Sequence, residues 1–305
     1  MESPKVNPYI VLLIAVISLS TSAILVKVSS APSGVIAFYR LFITVILMLP
    51  IFLYKYVSEL RLILKRDWIL SIVAGVFLAF HFILWFESLN YTSVASSTVL
   101  VTLQPLFAFI GSYFVFKERF SGKAILACIL AIAGSVMISW GDFQISGSAL
   151  YGDLLALIAC ALITINFMFG QSVRKRLSLV TYTFIIYSIS TVVLLFYVLI
   201  VGESLFPYLT MDWIYFVLLA IFPTLLGHSL FNWSLKWMNA SAISMAILFE
   251  PVGATILAYY ILEENIIWTQ ILGGLIVIGS IAIFLIDDRK LKFKQIILKV
   301  KKDEY

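Results

Sequence analysis

The sequence predicts an all-α polytopic membrane protein: ten transmembrane helices, arranged as two inverted five-helix repeats, with both termini cytoplasmic. Three observations carry this expectation. Of 305 residues, 62% are hydrophobic and only 12% charged, with a mean hydropathy of +1.07, far from the roughly 45–50% apolar usage of soluble domains. Apolar runs of spanning length recur along the chain, each near the roughly 20 residues that a spanning helix needs. The cations collect on alternate connections, as they do in short cytoplasmic loops.

The first five runs cover residues 8–28, 33–54, 68–88, 92–116 and 121–140, and the second five cover 150–171, 180–201, 212–233, 240–262 and 266–286. The first is too long for a signal-peptide core and similar runs follow it, so it is expected to be retained. This divides the chain into a cytoplasmic N-terminus (1–7), a first five-helix repeat (8–140), a second (150–286) and a basic cytoplasmic tail (287–305). The tail's lysines alternate with apolar residues, a pattern of a surface-lying or unstructured segment.

With the N-terminus inside, 19 of the 21 Lys and Arg residues fall on inside segments. They begin with Lys5 and continue with Lys55, Arg61, Lys65 and Arg66, then Lys117, Arg119 and Lys123. Arg174, Lys175, Arg176 and Lys236 follow, and the tail from Arg289 to Lys302 holds the rest. The net charge of +5 thus reports topology, not a nucleic-acid partner. Cys128 and Cys160 both fall inside apolar runs, where a thiol is a small buried hydrophobe and not half of a disulfide framework.

An internal repeat appears at an offset of 146 residues: Pro105 matches Pro251, Tyr113 matches Tyr259, and Glu118 matches Glu264. Proline, tyrosine and glutamate keep one register across a helix and the loop after it. Each copy holds an odd number of spans, so the second enters from the opposite side, an architecture that places a substrate site near midplane where the halves meet.

The two five-span halves, the Phe38-Tyr39-Arg40 run in the second span, and the segments Pro105 to Glu118 and Glu250-Pro251 to Glu264 resemble the drug/metabolite transporter superfamily, in particular its EamA type. The resemblance covers residues 8–286. It implies an exporter or importer of small metabolites, with a cavity built mainly from the first, third, fourth, sixth, eighth and ninth spans. One departure stands out: Gln104 precedes the first proline where Glu250 precedes the second.

Glu250 lies near the middle of its apolar run, a costly place for an acid and by default a functional one. Two roles suit it there: binding a cationic or amine group of the substrate, or taking up a proton whose release is coupled to transport. The competing role is a protonated acid that only holds a kinked span in place. Pro251, like Pro105, lacks an amide hydrogen and crowds the carbonyl four residues back, so both positions are expected to kink or unwind their helices. Gln104 either orients a polar substrate or bonds a helix backbone. His81 and His228, the only histidines, either relay protons and line the site or donate to neighbouring carbonyls. Neither carries the spacing of a metal site.

Asn232 shares a face with His228, and Trp85 with His81. Trp85, Trp233 and Trp237 sit at span ends and suit the interfacial aromatic belt. Asn166 with Thr164, and the cluster Ser18, Ser20, Thr21 and Ser22, are further midplane polar groups that bond either their own helices or a cavity. Lys27 is expected to snorkel outward. Arg40 needs a carboxylate or carbonyl partner in a gating or structural role, with Glu87 as a candidate.

There is no Walker motif, so ATP is not the expected direct energy source. HExxH, GxSxG and paired midplane aspartates are also absent from the sequence, which argues against a membrane-embedded enzyme. The expectation is therefore a secondary transporter, taken here as an exporter. It would move a small polar or amphipathic metabolite, such as an amino acid or drug-like compound, across the plasma membrane, using no cofactor or metal. Its partners would be that substrate, protons and membrane lipids. The alternative is a structural or sensory membrane protein.

Overall fold

The computed structural model describes residue 4 and residues 6–92, 94–140, 147–261, 263 and 266–303. Lys5 and Glu264, both singled out above, lie outside the described residues. Among the described residues nine helices are long and apolar enough to cross a membrane, and a tenth apolar helix is shorter. In chain order they are α1 (Pro8–Val28), α2 (Ser33–Leu62), α3 (Lys65–Ser88), α4 (Ser96–Phe116), α5 (Gly122–Ile138), α6 (Gly147–Val173), α7 (Leu179–Val201), α8 (Thr210–Ser234), α9 (Ala240–Ile261) and α10 (Trp268–Asp287). The protein is a multi-pass membrane protein.

Local signals account for most of these boundaries. Asn7, Ser121, Ser178 and Asn239 each cap a helix N-terminus by accepting from a backbone amide in the first turn, which satisfies one of the donors the helix leaves over. α2 runs on past the expected end at residue 54, through a π-turn at Phe52–Tyr56 and a 3-10 turn at Val57–Leu62. The tail is helical, not unstructured, as far as it is described. The last helix continues as far as Asp303, because the segment after Asp287 holds no Gly or Pro to stop it and is rich in Leu, Lys and Ile.

The repeat is visible in the backbone itself. Ser33 and Leu179, Val94 and Ala240, Gln104 and Glu250, and Gly122 and Trp268 all begin helical segments, and every pair is separated by the same 146 residues. Lys117 and Glu263, also repeat mates, are the two non-glycine residues with positive φ among the described residues, at 56° each. Such residues are uncommon, so a shared one marks a shared chain reversal.

Packing follows the same exchange. α3 lies along α6 as α8 lies along α1, while α2 packs on α7, α4 on α9 and α5 on α10. The cation-bearing loops meet on one face. There Asp67 pairs with Arg176, and Glu118 Oε1 and Oε2 accept from Gln171 Nε2 at 3.1 Å and Asn239 Nδ2 at 3.0 Å. On the opposite face Asp212 accepts from Ser29 Oγ at 2.7 Å, Ser30 N at 2.9 Å and Ser30 Oγ at 2.8 Å.

α5 and α10 approach closely enough to touch backbones. A Cβ added to Gly273 would stand 2.5 Å from Gly134 O, and one added to Gly134 would stand 2.8 Å from Gly273 O. Small residues at such contacts are what allow membrane helices to pack without a hydrophobic driving force. Gly273→Ala should therefore cost about 1–3 kcal/mol through overpacking, read as a lower melting temperature of the detergent-purified protein. Gly279→Ala, where nothing lies within 4 Å, should leave the melting temperature unchanged.

Candidate functional site

Two membrane helices are interrupted at the same repeat position. α4 is helical over Val94–Thr102, breaks at Leu103 and resumes at Gln104, and α9 is helical over Ala240–Ile247 and resumes at Glu250. Each second half opens with a polar residue followed by proline, a residue suited to the first turn of a helix because its missing amide would have no partner there. A helix N-terminus carries partial positive charge from its unsatisfied amides. Gln104 and Glu250 thus stand at two such ends, presented from antiparallel directions.

They face one cavity. It is lined by Gln104 and Glu250 together with His81, Trp85, Phe167 and His228, and closed by Leu19, Val101, Ile163 and Ile247. Those residues come from α1, α3, α4, α6, α8 and α9. The free space is about 10 Å³, roughly what one water needs. Glu250 Oε1, Gln104 Oε1, Trp85 Nε1 and His228 Nε2 are all buried without a hydrogen-bond partner. An unpaired buried polar atom costs about 1–3 kcal/mol, and four such atoms share this one cavity.

The two rings belong together: His81 and His228 lie 6.4 Å apart between centroids, and His81 stacks on Trp85 at 5.8 Å. His81 Nδ1 donates to Ala159 O at 2.9 Å, which leaves Nε2 as the acceptor. His228 ends a π-turn, Ala220–His228, that contains Pro223. The proline removes an amide from the ladder, and single π-turns of this kind recur at functional sites. Pro223 was the available sequence signal for this turn, and the periodic reading passed over it.

Arg40 corrects an expectation. Its partners are hydroxyls, not Glu87: Nε donates to Thr224 Oγ1 at 2.7 Å and Nη1 to Ser22 Oγ at 2.9 Å, and the guanidinium lies 4.3 Å above the Phe82 ring. Glu87 Oε2 instead accepts from Asn90. Arg40 is fully buried and interacts electrostatically with Glu250, although among the described residues no ion pair within 4.0 Å joins them. Thr224 is free to receive Arg40 because its own proton goes to Leu219 O, five residues back across the π-turn.

Trp85, a candidate substrate-binding residue on the face of His81, is buried at 2% exposure and lines the cavity, although its run ends three residues later. The remaining polar residues do not meet at the cavity. Asn166 Nδ2 donates to Ala74 O at 2.9 Å, Asn232 Nδ2 to His228 O at 2.9 Å, and Thr164 to Cys160 O. Lys27 is exposed and donates to Leu89 O at 3.1 Å. Ser20, at the short break in α1, has two acceptors within reach of its one hydroxyl proton, Val16 O at 3.0 Å in its own helix and the backbone carbonyl of Glu250 at 3.3 Å on α9.

A family match accompanies this geometry: the EamA-like transporter family matches residues 7–140 and again residues 150–286. The chain belongs to this family. An uncharacterized transporter of Archaeoglobus fulgidus is 22% identical over 199 residues, 65% of this chain and 70% of the relative. The uncharacterized transporter YdfC of Bacillus subtilis is 24% identical over 255 residues, 81% of this chain and 79% of the relative. A solved crystal structure superposes with a TM-score of 0.76, covering 93% of this chain and 98% of the other at 18% identity, a likeness of fold alone. The relatives' names make this EamA-like chain a membrane transporter.

The Arg40 site yields a clear expectation. Thr224→Val keeps the volume but leaves Arg40 Nε without its acceptor inside the protein, and should cost about 1–3 kcal/mol. Thr224→Ser should hold the wild-type melting temperature, since it restores the oxygen.

Proposed function

We propose that the chain is a secondary transporter, an exporter that carries a small polar or amphipathic metabolite, such as an amino acid or drug-like compound, across the plasma membrane by alternating access. Its termini are cytoplasmic in this reading, and the units that move are the halves 8–140 and 150–286. The supporting observation is the meeting of Gln104 and Glu250, repeat mates at two helix breaks, on one small cavity with unpaired polar atoms. A cavity of about 10 Å³ admits no metabolite, so the substrate enters only when the halves part. In this reading the small cavity belongs to a closed step of that cycle.

Glu250 gives the cycle its coupling. One carboxylate can hold a proton or the cationic group of a substrate, and exchanging one for the other across the cycle links flux to a pH gradient. Trp85 and Phe167 supply flat apolar walls for the rest of the molecule, and Gln104 a neutral amide from the opposite half. His81, with Nδ1 committed to Ala159 O, offers an acceptor and holds its tautomer.

The test is uptake and counterflow in proteoliposomes loaded with a panel of amino acids and amines, with and without a pH gradient. Flux of at least one compound is expected, and Glu250→Gln should lower it at least about tenfold, the worth of one charge-assisted contact at roughly 1.5–3 kcal/mol. The pH-gradient dependence should disappear with it. A membrane protein without transport activity would show no flux under any gradient, and its Glu250→Gln variant would change only in melting temperature.

A further inference from the structure

On the cation-rich face a single carboxylate joins the two halves of the fold. α4 ends at Phe116, and Lys117, with φ of 56°, turns the chain so that Glu118 N donates back to Ser112 O at 3.2 Å. The turn leaves the Glu118 side chain, from the first half, against two amides of the second. Its oxygens are taken separately: Oε1 accepts from Gln171 Nε2, near the end of α6, and Oε2 from Asn239 Nδ2, just before α9.

Neither amide can turn over. Gln171 Oε1 accepts from Ala240 N at 2.6 Å and Asn239 Oδ1 from Ala242 N at 3.0 Å, so backbone donors at the start of α9 fix both carbonyl oxygens. Each NH2 group is thereby directed at residue 118. An ionised carboxylate, with two acceptors and no donor, is the group that fits between them. One turn further in, Ser241 Oγ donates to Ser112 Oγ at 3.1 Å, again from α9 to α4.

The segment fastened this way is Ala240–Ile247, the half of α9 that ends at the break beside Glu250. What holds its far end therefore decides whether it can swing away from α4. Irregular joints of this kind are where packed helices pivot.

We propose that this clamp is the gate of the cation-rich face: the cavity opens to that side when Glu118 releases Gln171 and Asn239 together and frees the first half of α9. The gate rests on the alternating-access reading for its purpose, but its test reads the opening itself and needs no flux, so either can fail without the other.

The test is hydrogen–deuterium exchange of the full-length protein in detergent, read by mass spectrometry over residues 239–247, because exchange reports local opening. Residues 29–36 on the opposite face, where Ser30 N donates to Asp212 Oδ1, serve as the reference. Glu118→Gln keeps the shape but turns an NH2 group towards one of the two amide donors. Exchange over 239–247 should rise about fivefold, the population change that follows the loss of one hydrogen bond, while exchange over 29–36 should not rise. Asn239→Asp keeps an acceptor for Ala242 N but sets a second carboxylate against Glu118, and should open the same segment. The double variant, Glu118→Gln with Asn239→Asp, reverses the polarity of that bond: the Gln NH2 group donates to the Asp oxygen, and protection should return towards wild type. Such recovery marks a direct pair, which a general loss of stability would not produce. Faster exchange on both faces in Glu118→Gln, wild-type exchange over 239–247 in both single variants, or a double variant no better protected than its parents would overturn the proposal.

Discussion

A broken helix in a membrane leaves backbone groups that hydrocarbon cannot satisfy, so irregular backbone survives there only when buried in protein or lining a polar cavity. That constraint organises this fold. The interruptions of α4 at Leu103 and of α9 just before Glu250 cannot face lipid, and the pseudo-symmetric packing of α3 on α6 and α1 on α8 surrounds them on both sides. The cavity is therefore not an incidental gap between helices. It is the space that two breaks require, and the polar residues that open each second half-helix are the ones that reach it.

The same constraint explains why Arg40 is tolerated. A buried cation without partners is expensive, and removing one partner of such a group exposes that cost. Here two hydroxyls from α1 and α8 and the face of Phe82 surround the guanidinium. Its charge also reaches Glu250 without an ion pair in which each would neutralise the other. The carboxyl is thus placed where it senses a positive charge and still keeps an oxygen uncommitted.

Much of this was legible in the chain. Hydropathy marks spans because lipid demands length, and the charge bias marks faces because loops fold back on the side they came from. Pro105 and Pro251 announced the breaks because a missing amide acts locally. The less legible features are tertiary. Thr224 and Ser22 are two hydroxyls among many, and only the fold brings them to Arg40. The interruption of α1 at Ser20 and Thr21 has no glycine or proline to signal it, and the Ser20 hydroxyl there lies between Val16 O of its own helix and the Glu250 carbonyl, 230 residues away. For Trp85 the end of its run pointed to the interface and the face it shares with His81 pointed to the cavity, and the fold puts it on the cavity wall.

The closure at the two faces is unequal, and this follows from the residues themselves. Asp67, in the first turn of α3, holds the loop between α6 and α7 through Arg176, while Asp212, in the first turn of α8, holds the loop between α1 and α2 through Ser29 and Ser30. These are corresponding ties in the two repeats, with Asp212 one residue before the repeat mate of Asp67, one made with a guanidinium and one with hydroxyls. On the cation-rich face Glu118 adds a further clamp across Gln171 and Asn239, and its repeat mate lies outside the described residues. Opening either face means exchanging such bonds for bonds to water. In the Asp67 tie the carboxylate is buried and Arg176 reaches it from the solvent side, and a two-pronged hydrogen bond fixes its geometry. A pseudo-symmetric fold with chemically different ties at its two ends has two openings of different cost, and a transporter needs that difference if its resting state is to favour one side.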